Sequence, residues 1–383
     1  MAGRSGIARI RSFDTERIGR HMGGEVSEFR AQDHIPREDI PRVDRCGAMG
    51  LAATLQALAD ANLPDASRAE ASVVFGTTMG EGGLMTSLQD DFIAHGKDGF
   101  DGERFQRYGA GRIVGVLADR IGTCGPTQTL NAACAAGNYA MGTASDWVRT
   151  GRADVVIVCA SEMIVPLQFA GFVRLAAMSP DRCRPFDRDR QGIILGEGAA
   201  AFVMESEESV VRRGATPLAE IGGWALSCDA FHVTRPHPEA EGTIAAMREA
   251  ILRSGITTDQ IDFINAHGTG TKHNDAAEAT VVKEVFGARR VPLTSNKSQL
   301  GHCMGAASAL EAIACLETLD KQMYPPTLHF ENPDPECDLD VVANVARPGK
   351  ANVVLNNSLA FGGYNAVVCL AKTGVLPAPE GAR

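Results

Sequence analysis

The chain has 383 residues and a formal net charge of −10, with 44% hydrophobic and 22% charged residues, an ordinary balance for a soluble globular protein. No apolar run could span a bilayer, and the polar, Arg-bearing start has no signal-peptide core, so neither a membrane span nor a leader is predicted. The acidic balance argues against nucleic acid as the main partner. Ten cysteines without CxxC pairs indicate reduced thiols and a cytoplasmic location.

Strand-like apolar runs alternate with helical segments, which predicts an α/β fold. The length favours two domains or one large duplicated one. The predicted elements, in chain order, are helix Gly50–Ala61, strand Ala71–Phe75, helix Ala135–Arg149, strands Asp154–Cys159 and Ala200–Met204, helix Ile244–Ser254, strand Asp262–Asn265, helices Asp275–Phe286 and Ala306–Leu319, and strand Val367–Leu370.

A Gly- and Pro-containing segment at 214–218 divides the chain into two predicted halves, 1–214 and 215–374. The remaining residues, 375–383, contain Pro and Gly and are predicted to form a flexible tail. Gly196-Glu-Gly198 fits a dinucleotide-binding pattern, but that pattern requires a helix to begin there. Here the chain continues as a predicted strand, so a glycine-containing bulge is the better interpretation.

Cys134 lies in Asn131-Ala-Ala-Cys134-Ala-Ala-Gly137, immediately before the helix predicted to end at Arg149. A cysteine at a helix N-terminus faces unpaired N–H groups and the positive end of the dipole, which favour the thiolate. We therefore expect a reactive nucleophile, with a buried core cysteine as the alternative.

Two histidines in the second half lie in glycine-rich loops. His267 follows a predicted strand in Asn265-Ala-His-Gly-Thr-Gly-Thr271, and His302 lies in a polar loop that leads into a helix. A metal site is not predicted, because His267 and His273 are separated by a Gly/Thr loop and no cysteine pair joins them. Each histidine alone could be structural, but together with a poised cysteine they match what thioester condensation needs.

These segments resemble the elongating β-ketoacyl-acyl carrier protein synthases of the thiolase superfamily, over nearly the whole chain. Further likeness lies in Arg184-Pro-Phe-Asp187, in Phe231-His-Val-Thr-Arg-Pro236 and in the glycine-rich segment around Phe361. The resemblance implies a thiolase-like five-layered α-β-α-β-α fold of two duplicated halves. It also implies a decarboxylative Claisen condensation of an acyl thioester with malonyl-acyl carrier protein.

The roles implied by the resemblance start from Cys134, which would take the acyl group. Backbone N–H groups of Cys134 and Phe361 would form the oxyanion hole. His267 and His302 would donate from Nε2 to the malonyl thioester oxygen and stabilise the enolate. Lys297 would keep the site positive, with a buried Glu311 as its partner.

Other implied positions surround this set. Asp275 and Glu278 would brace the histidine loop, Thr269 and Thr271 would contact the pantetheine arm, and Met79 would lie near the acyl pocket floor. Carrier-protein contacts would come from Arg42, Arg45 and Arg184, because carrier proteins are acidic. No metal or diffusible cofactor is expected, since phosphopantetheine arrives on the carrier.

The chain departs from the family pattern at three places. Tyr364 replaces a usual threonine, and Leu359-Ala360 replaces the usual Phe-Gly before Phe361. The family's first strand precedes the segment that begins at Ser5, so we expect that strand, placed centrally in the first sheet, to be missing and the natural start to lie upstream of Met1.

The resemblance also predicts a dimer, either of identical chains or with a homologous ketosynthase-like subunit. Two alternatives to the synthase stay open from the residues. One is an acyltransferase that uses the Cys134 thioester without decarboxylation, and the other is a chain-shaping partner subunit. Fatty acid and polyketide supply are not distinguished by these residues.

Overall fold

The computed structural model describes residues 1–106, 108–287 and 291–377. The predicted flexible tail therefore falls largely outside the described residues. Within them, no helix is long and apolar enough to cross a membrane.

The first half contains a sheet whose central strands are runs of fully buried residues. Its strands are β1 (Ser72–Gly76), β2 (Thr127–Leu130), β3 (Val155–Glu162) and β4 (Gly198–Glu205), in the order β2-β1-β3-β4. Strand β1 is parallel to both β2 and β3, and β4 is antiparallel to β3. The glycine pair that resembles a dinucleotide motif leads directly into β4, so the predicted strand is confirmed there.

The second half repeats this arrangement with one more strand. Its strands are β5 (Glu220–Cys228), β6 (Phe263–Asn265), β7 (Leu293–Thr294), β8 (Val353–Leu359) and β9 (Tyr364–Ala371), in the order β5-β9-β8-β6-β7. Strand β9 is antiparallel to β8, as β4 is to β3. The halves therefore share one topology, in which β5 has no counterpart among the described residues of the first sheet.

The position of that absent counterpart corrects one sequence-based expectation. Strand β5 lies at an edge of its sheet, beside β9. Because β4 corresponds to β9, the open position in the first sheet is the edge beside β4. The expectation of a missing central strand, flanked on both sides, is therefore wrong about its place.

Helices form layers on both sides of each sheet. They are α1 (Arg45–Asp60), α2 (Gly82–His95), α3 (Ala110–Ile121), α4 (Ala136–Arg149), α5 (Pro166–Arg174), α6 (Glu241–Arg253), α7 (Lys272–Phe286) and α8 (Ala307–Lys321), with shorter helices at Ala31–His34, Asp65–Glu70, Gly102–Gln106, Glu207–Arg213 and Lys297–Leu300. Two-residue ribbons pair Ala8–Arg9 with Met22–Gly23 and Met323–Tyr324 with Arg347–Pro348.

The layers stack in an α-β-α-β-α order. Helices α4 and α8 pack on each other between the two sheets, α1 and α3 cover the outer face of the first sheet, and α6 covers that of the second, with α7 beside it. Three apolar clusters correspond to these layers, one under each outer face and one between the sheets. The five-layered fold predicted from the resemblance is therefore confirmed.

The central layer depends on small residues. A Cβ added to Gly142 of α4 would lie 2.0 Å from the ring of Trp224, on β5. The indole Nε1–H of Trp224 donates to Asp146 Oδ1 at 2.8 Å, on the next turn of α4. Trp224 of the second half therefore packs directly on the backbone of α4 at Gly142.

Gly142→Ala should overpack this contact and lower the free energy of unfolding by about 1–3 kcal/mol. Gly115→Ala is the matched control, because Gly115 lies in α3 with nothing within 4 Å of an added Cβ. That substitution should stabilise the helix by up to about 1 kcal/mol. Denaturant midpoints of both variants test the contact, and equal shifts of the same sign would contradict it.

Candidate active site

Cys134 lies in a tight turn between β2 and α4. The turn is a 3-10 segment, Ala133–Ala135, and Ala133 has a φ of 46°, an unfavourable conformation for a residue with a Cβ. The carbonyl oxygen of Cys134 accepts a hydrogen bond from Ser358 Oγ on β8 at 3.1 Å. Cys134 is therefore held in a strained turn and anchored to the second half.

The same turn occurs a second time, before α8. Met304 also has a φ of 46° and begins a 3-10 segment, Met304–Ala306, that leads into that helix. Gly305 occupies the position that corresponds to Cys134, and a Cβ there would lie 2.5 Å from the backbone N of Thr78. The duplicated half thus uses the equivalent turn for close packing.

The electrostatics of Cys134 differ from the sequence-based expectation of a thiolate. The sulfur is buried in an apolar cluster, and burial raises the pKa of Cys134 to about 12. Lys297 and the backbone N–H groups of Phe361 and Cys134 lower that pKa, but they do not offset burial. In the free site the thiol is therefore protonated.

His267 and His302 lie next to each other, with ring centroids 5.4 Å apart and planes at 82°. Nδ1 of His302 accepts a hydrogen bond from the backbone N–H of Met304 at 3.2 Å. Nδ1 of His267 lies 3.3 Å from Nζ of Lys297, an ammonium group that can only donate. Both neutral rings therefore carry their proton on Nε2, as the resemblance implies.

Burial and the nearby Lys297 ammonium keep both histidines neutral. Burial is the largest cause that holds the pKa of His267 and of His302 well below the ordinary value of 6.5, and Lys297 lowers both further. At neutral pH each ring is therefore an uncharged Nε2–H donor.

Lys297 and Glu311 form a buried ion pair, as predicted. Nζ of Lys297 donates to Glu311 Oε1 at 2.5 Å, and both side chains are almost fully buried. Burial raises the pKa of Glu311 to about 7, and Lys297 opposes this rise. The pair orients the ammonium towards His267.

Two acids of α7 hold the loop of His267. Glu278 accepts from the backbone N–H groups of His267 and Gly268, both at 2.7 Å. Asp275 accepts from Phe186 N at 2.7 Å and from Gly270 N at 3.2 Å. Both acids therefore lie where the resemblance places them, behind the histidine.

The two threonines of this loop differ. Thr269 is buried, and its hydroxyl lies 3.0 Å from that of Thr271. Thr271 is the N-cap of α7, and its Oγ1 accepts from Asn274 N at 3.4 Å. Part of the role of Thr271 is therefore structural.

Phe361 lies in a loop that the next two residues shape. Its ring stacks on Phe172 of α5, with centroids 5.6 Å apart. Gly362 and Gly363 follow with φ of 84° and 80°, which glycine adopts without strain. Tyr364 packs against Gly362 and makes an edge contact with Tyr139 of α4 at 6.4 Å. Tyr364, which stands where the family usually has threonine, therefore connects this loop to α4.

A buried carboxylate that sequence reasoning missed connects several parts of the site. Glu162, at the end of β3, accepts from the backbone N–H groups of Thr78 at 2.6 Å, Met79 at 3.1 Å and Gly305 at 3.1 Å. Burial raises its pKa to about 7. In the sequence, this residue is recognisable only as an acidic residue that follows an apolar predicted strand.

The three arginines expected at the carrier surface are already paired within the chain. Arg45 bonds Glu197 at 2.6 Å, Arg184 bonds Asp181 at 2.9 Å, and Arg42 bonds Asp119 at 2.7 Å. The carrier-contact role of all three remains a prediction.

The family can be assigned once this geometry is compared with known proteins. The family described as "Beta-ketoacyl synthase, N-terminal domain" matches residues 1–209, and the one described as "Beta-ketoacyl synthase, C-terminal domain" matches residues 218–331. The chain is a member of the β-ketoacyl synthase family.

The synthase is similar to curated proteins over almost its whole length. It is 35% identical to 3-oxoacyl-[acyl-carrier-protein] synthase 2 of Synechocystis sp., with 97% of this chain and 92% of that protein covered. It is 38% identical to Nodulation protein E of Rhizobium meliloti, with 96% and 92% covered.

Among solved structures, the synthase is similar to the ishigamide ketosynthase/chain length factor. The TM-score is 0.93 at 39% identity, with 97% of this chain and 93% of that chain covered. A type II polyketide synthase ketosynthase, in complex with its acyl carrier protein and bound to the hexaketide, matches with a TM-score of 0.88 at 26% identity and the same coverage.

Glu311→Ala should strongly destabilise the synthase, because it leaves the buried Lys297 ammonium without a partner, at a cost of about 3–5 kcal/mol. Glu317→Ala is the matched control, since Glu317 pairs with Lys321 on an exposed face of the same helix. The control should leave the denaturant midpoint nearly unchanged. A small shift for Glu311→Ala as well would show that the buried pair is not needed for stability.

Proposed function

We propose that this synthase catalyses the decarboxylative Claisen condensation of an acyl thioester with a malonyl-carrier thioester, as an acyltransferase of fatty acid or polyketide biosynthesis. The observation that carries the proposal is that the Lys297 ammonium acts on a buried Cys134 and on two adjacent, neutral Nε2–H donors. Nucleophilic cysteine divides the reaction into two steps, and fixed donors stabilise the oxygen charge that develops in each.

In the first step, Sγ of Cys134 attacks the acyl thioester carbonyl. The N–H groups of Cys134 and Phe361, which also stabilise the sulfur anion, are the donors for the tetrahedral oxygen. The carbon–sulfur bond to the carrier then breaks, and the departing carrier thiol takes up the proton that Cys134 loses. The transfer is therefore balanced without a separate base.

In the second step, His267 and His302 donate to the thioester oxygen of the malonyl group. The bond to the carboxylate breaks, carbon dioxide leaves, and the electron pair forms an enolate that the two donors stabilise. The enolate carbon attacks the acyl carbonyl, the bond between that carbonyl and Sγ of Cys134 breaks, and the departing thiolate takes up a proton from water to restore the thiol. These steps use only groups of the chain, water and the thioester carried by the partner, so we propose no cofactor of the synthase itself.

The partners follow from the same chemistry. We propose an acyl carrier protein, which delivers the thioester on its phosphopantetheine arm, and a second homologous chain, identical or of the chain-length-factor kind. The solved relatives support this, since one contains an acyl carrier protein and the other a chain length factor. A cytoplasmic location is consistent with the ten free cysteines.

Cys134→Ala should abolish the mass increase that an acyl-carrier thioester produces in the intact protein, because the nucleophile is removed. Cys124→Ala is the control, since Cys124 is exposed and should not carry the acyl group. Acylation that persists in Cys134→Ala, or that is lost in Cys124→Ala, would contradict the assignment.

His267→Ala and His302→Ala should still accept an acyl group on Cys134 but lose malonyl decarboxylation by about 10²-fold or more per donor. Carbon dioxide release measures this, with the exposed His273→Ala as control. Carbon dioxide release at the normal rate in both His267→Ala and His302→Ala would contradict the role of these two donors.

The pH dependence of that step follows from the lowered pKa of both histidines. Their charge should not change until the pH falls well below 6.5, so the acid limb of decarboxylation should lie below that value. Because the unfolded chain takes up these protons first, the two histidines contribute stability at neutral pH that is lost as the pH drops below about 6.5. A decarboxylation midpoint at the ordinary histidine value would show that the rings are not buried in the working enzyme.

A further inference from the structure

Helix α5 lies along the region that holds the acyl group in the proposed function. Val165, its N-cap, and Met79 both lie within 3.5 Å of the Cβ position of Gly82. Seven residues further on, Phe172 stacks on Phe361, whose N–H faces Cys134. One face of α5 therefore extends from the loop of Met79 to the nucleophile.

Gln168 lies on that same face. It follows Val165 by three residues and precedes Phe172 by four, and residues at these spacings share one side of a helix. The structure agrees, because Gln168 is only 8% exposed whereas its neighbour Leu167 is 57% exposed. Gln168 therefore lies on the buried side of α5, the side that also carries Val165 and Phe172.

The amide nitrogen of Gln168 is buried without a hydrogen-bond partner among the described residues. Leaving such a donor unpaired costs about 1–3 kcal/mol. The next residue of the helix, Phe169, belongs to the apolar cluster that contains Cys134. An apolar residue in this place would avoid the cost, so the unpaired donor points to an acceptor that the acyl chain supplies.

We propose that Gln168 is a specificity-determining residue, which donates from Nε2 to an oxygen of the acyl chain bound at Cys134. The inference rests on the proposed function. The substrate class it indicates is an acyl chain that keeps a carbonyl or hydroxyl oxygen, as an incompletely reduced polyketide does, and not a saturated alkyl chain.

Helix geometry indicates where that oxygen lies. Four residues of α-helix separate Gln168 from Phe172, a rise of about 6 Å. The acceptor is therefore several carbon atoms from the thioester carbon, beyond the β position. A saturated chain of equal length fills the same space but leaves the amide unpaired, and a site built to bond an oxygen discriminates against the analogue without it.

The test compares acylation of Cys134 by octanoyl- and 5-oxooctanoyl-carrier thioesters, followed by intact mass and expressed as kcat/KM. The unmodified synthase should prefer the 5-oxo chain by about tenfold or more, the value of one buried hydrogen bond. Gln168→Met, which keeps the length but removes the donor, should abolish the preference, mainly by improving octanoyl transfer. Gln168→Glu, which keeps the shape but replaces the donor by an acceptor, should disfavour the 5-oxo chain.

Leu167→Met, on the exposed neighbour, should retain the preference. Equal rates for both chains in the unmodified synthase, or a preference that survives in Gln168→Met, would overturn the proposal. The proposal would also be overturned if Gln168→Met changed only the association of subunits, since the amide would then pair with a partner chain. Absence of acylation by either chain in the unmodified synthase would instead refute the proposed function, so the two failures can be told apart.

Discussion

The buried ion pair between Lys297 and Glu311 acts on Cys134, His267 and His302 together. Its ammonium lies 3.3 Å from Nδ1 of His267, which fixes the proton of that ring on Nε2. The same charge lowers the pKa of both histidines and opposes the rise in the pKa of Cys134. One cation therefore adds to the effect of burial in keeping two rings neutral, and it makes the sulfur anion less unfavourable. A cation can stay in this dry place because Glu311, on the central helix α8, compensates it.

Duplication explains how the site is assembled. Each half places a 3-10 turn with one strained residue, Ala133 or Met304, in front of a central helix. In the first half the turn presents Cys134, the proposed nucleophile, whereas in the second it presents Gly305 to the loop at Thr78. The backbone N–H of Met304, within that second turn, also sets the tautomer of His302. One structural unit thus serves two chemical purposes.

Much of this arrangement could be predicted from the sequence, because it depends on local patterns. All five predicted strands and all five predicted long helices occur, with ends within five residues of the expected ones, since apolar periodicity is a local property. The burial of Glu311 was predictable because it shares a helix face with Ala307 and Cys315, and its pairing with Lys297 was implied by the family resemblance. The protonated state of Cys134 was not, because the apolar residues that bury it, such as Ile10, Phe169 and Ile193, come from distant parts of the chain. The unpaired amide of Gln168 and the bonds of Glu162 are likewise visible only in three dimensions.

Glu162 has a consequence for how the synthase can change. The loop around Met79 and the turn after His302 share this one carboxylate as their acceptor. A substitution that moves the Met79 loop therefore also pulls on the acceptor of Gly305, and through that turn on the donor that sets the tautomer of His302. In the proposed function Met79 borders the acyl chain and His302 serves decarboxylation, so variants selected for a longer chain will also alter the decarboxylation step unless a second change near Gly305 restores the turn.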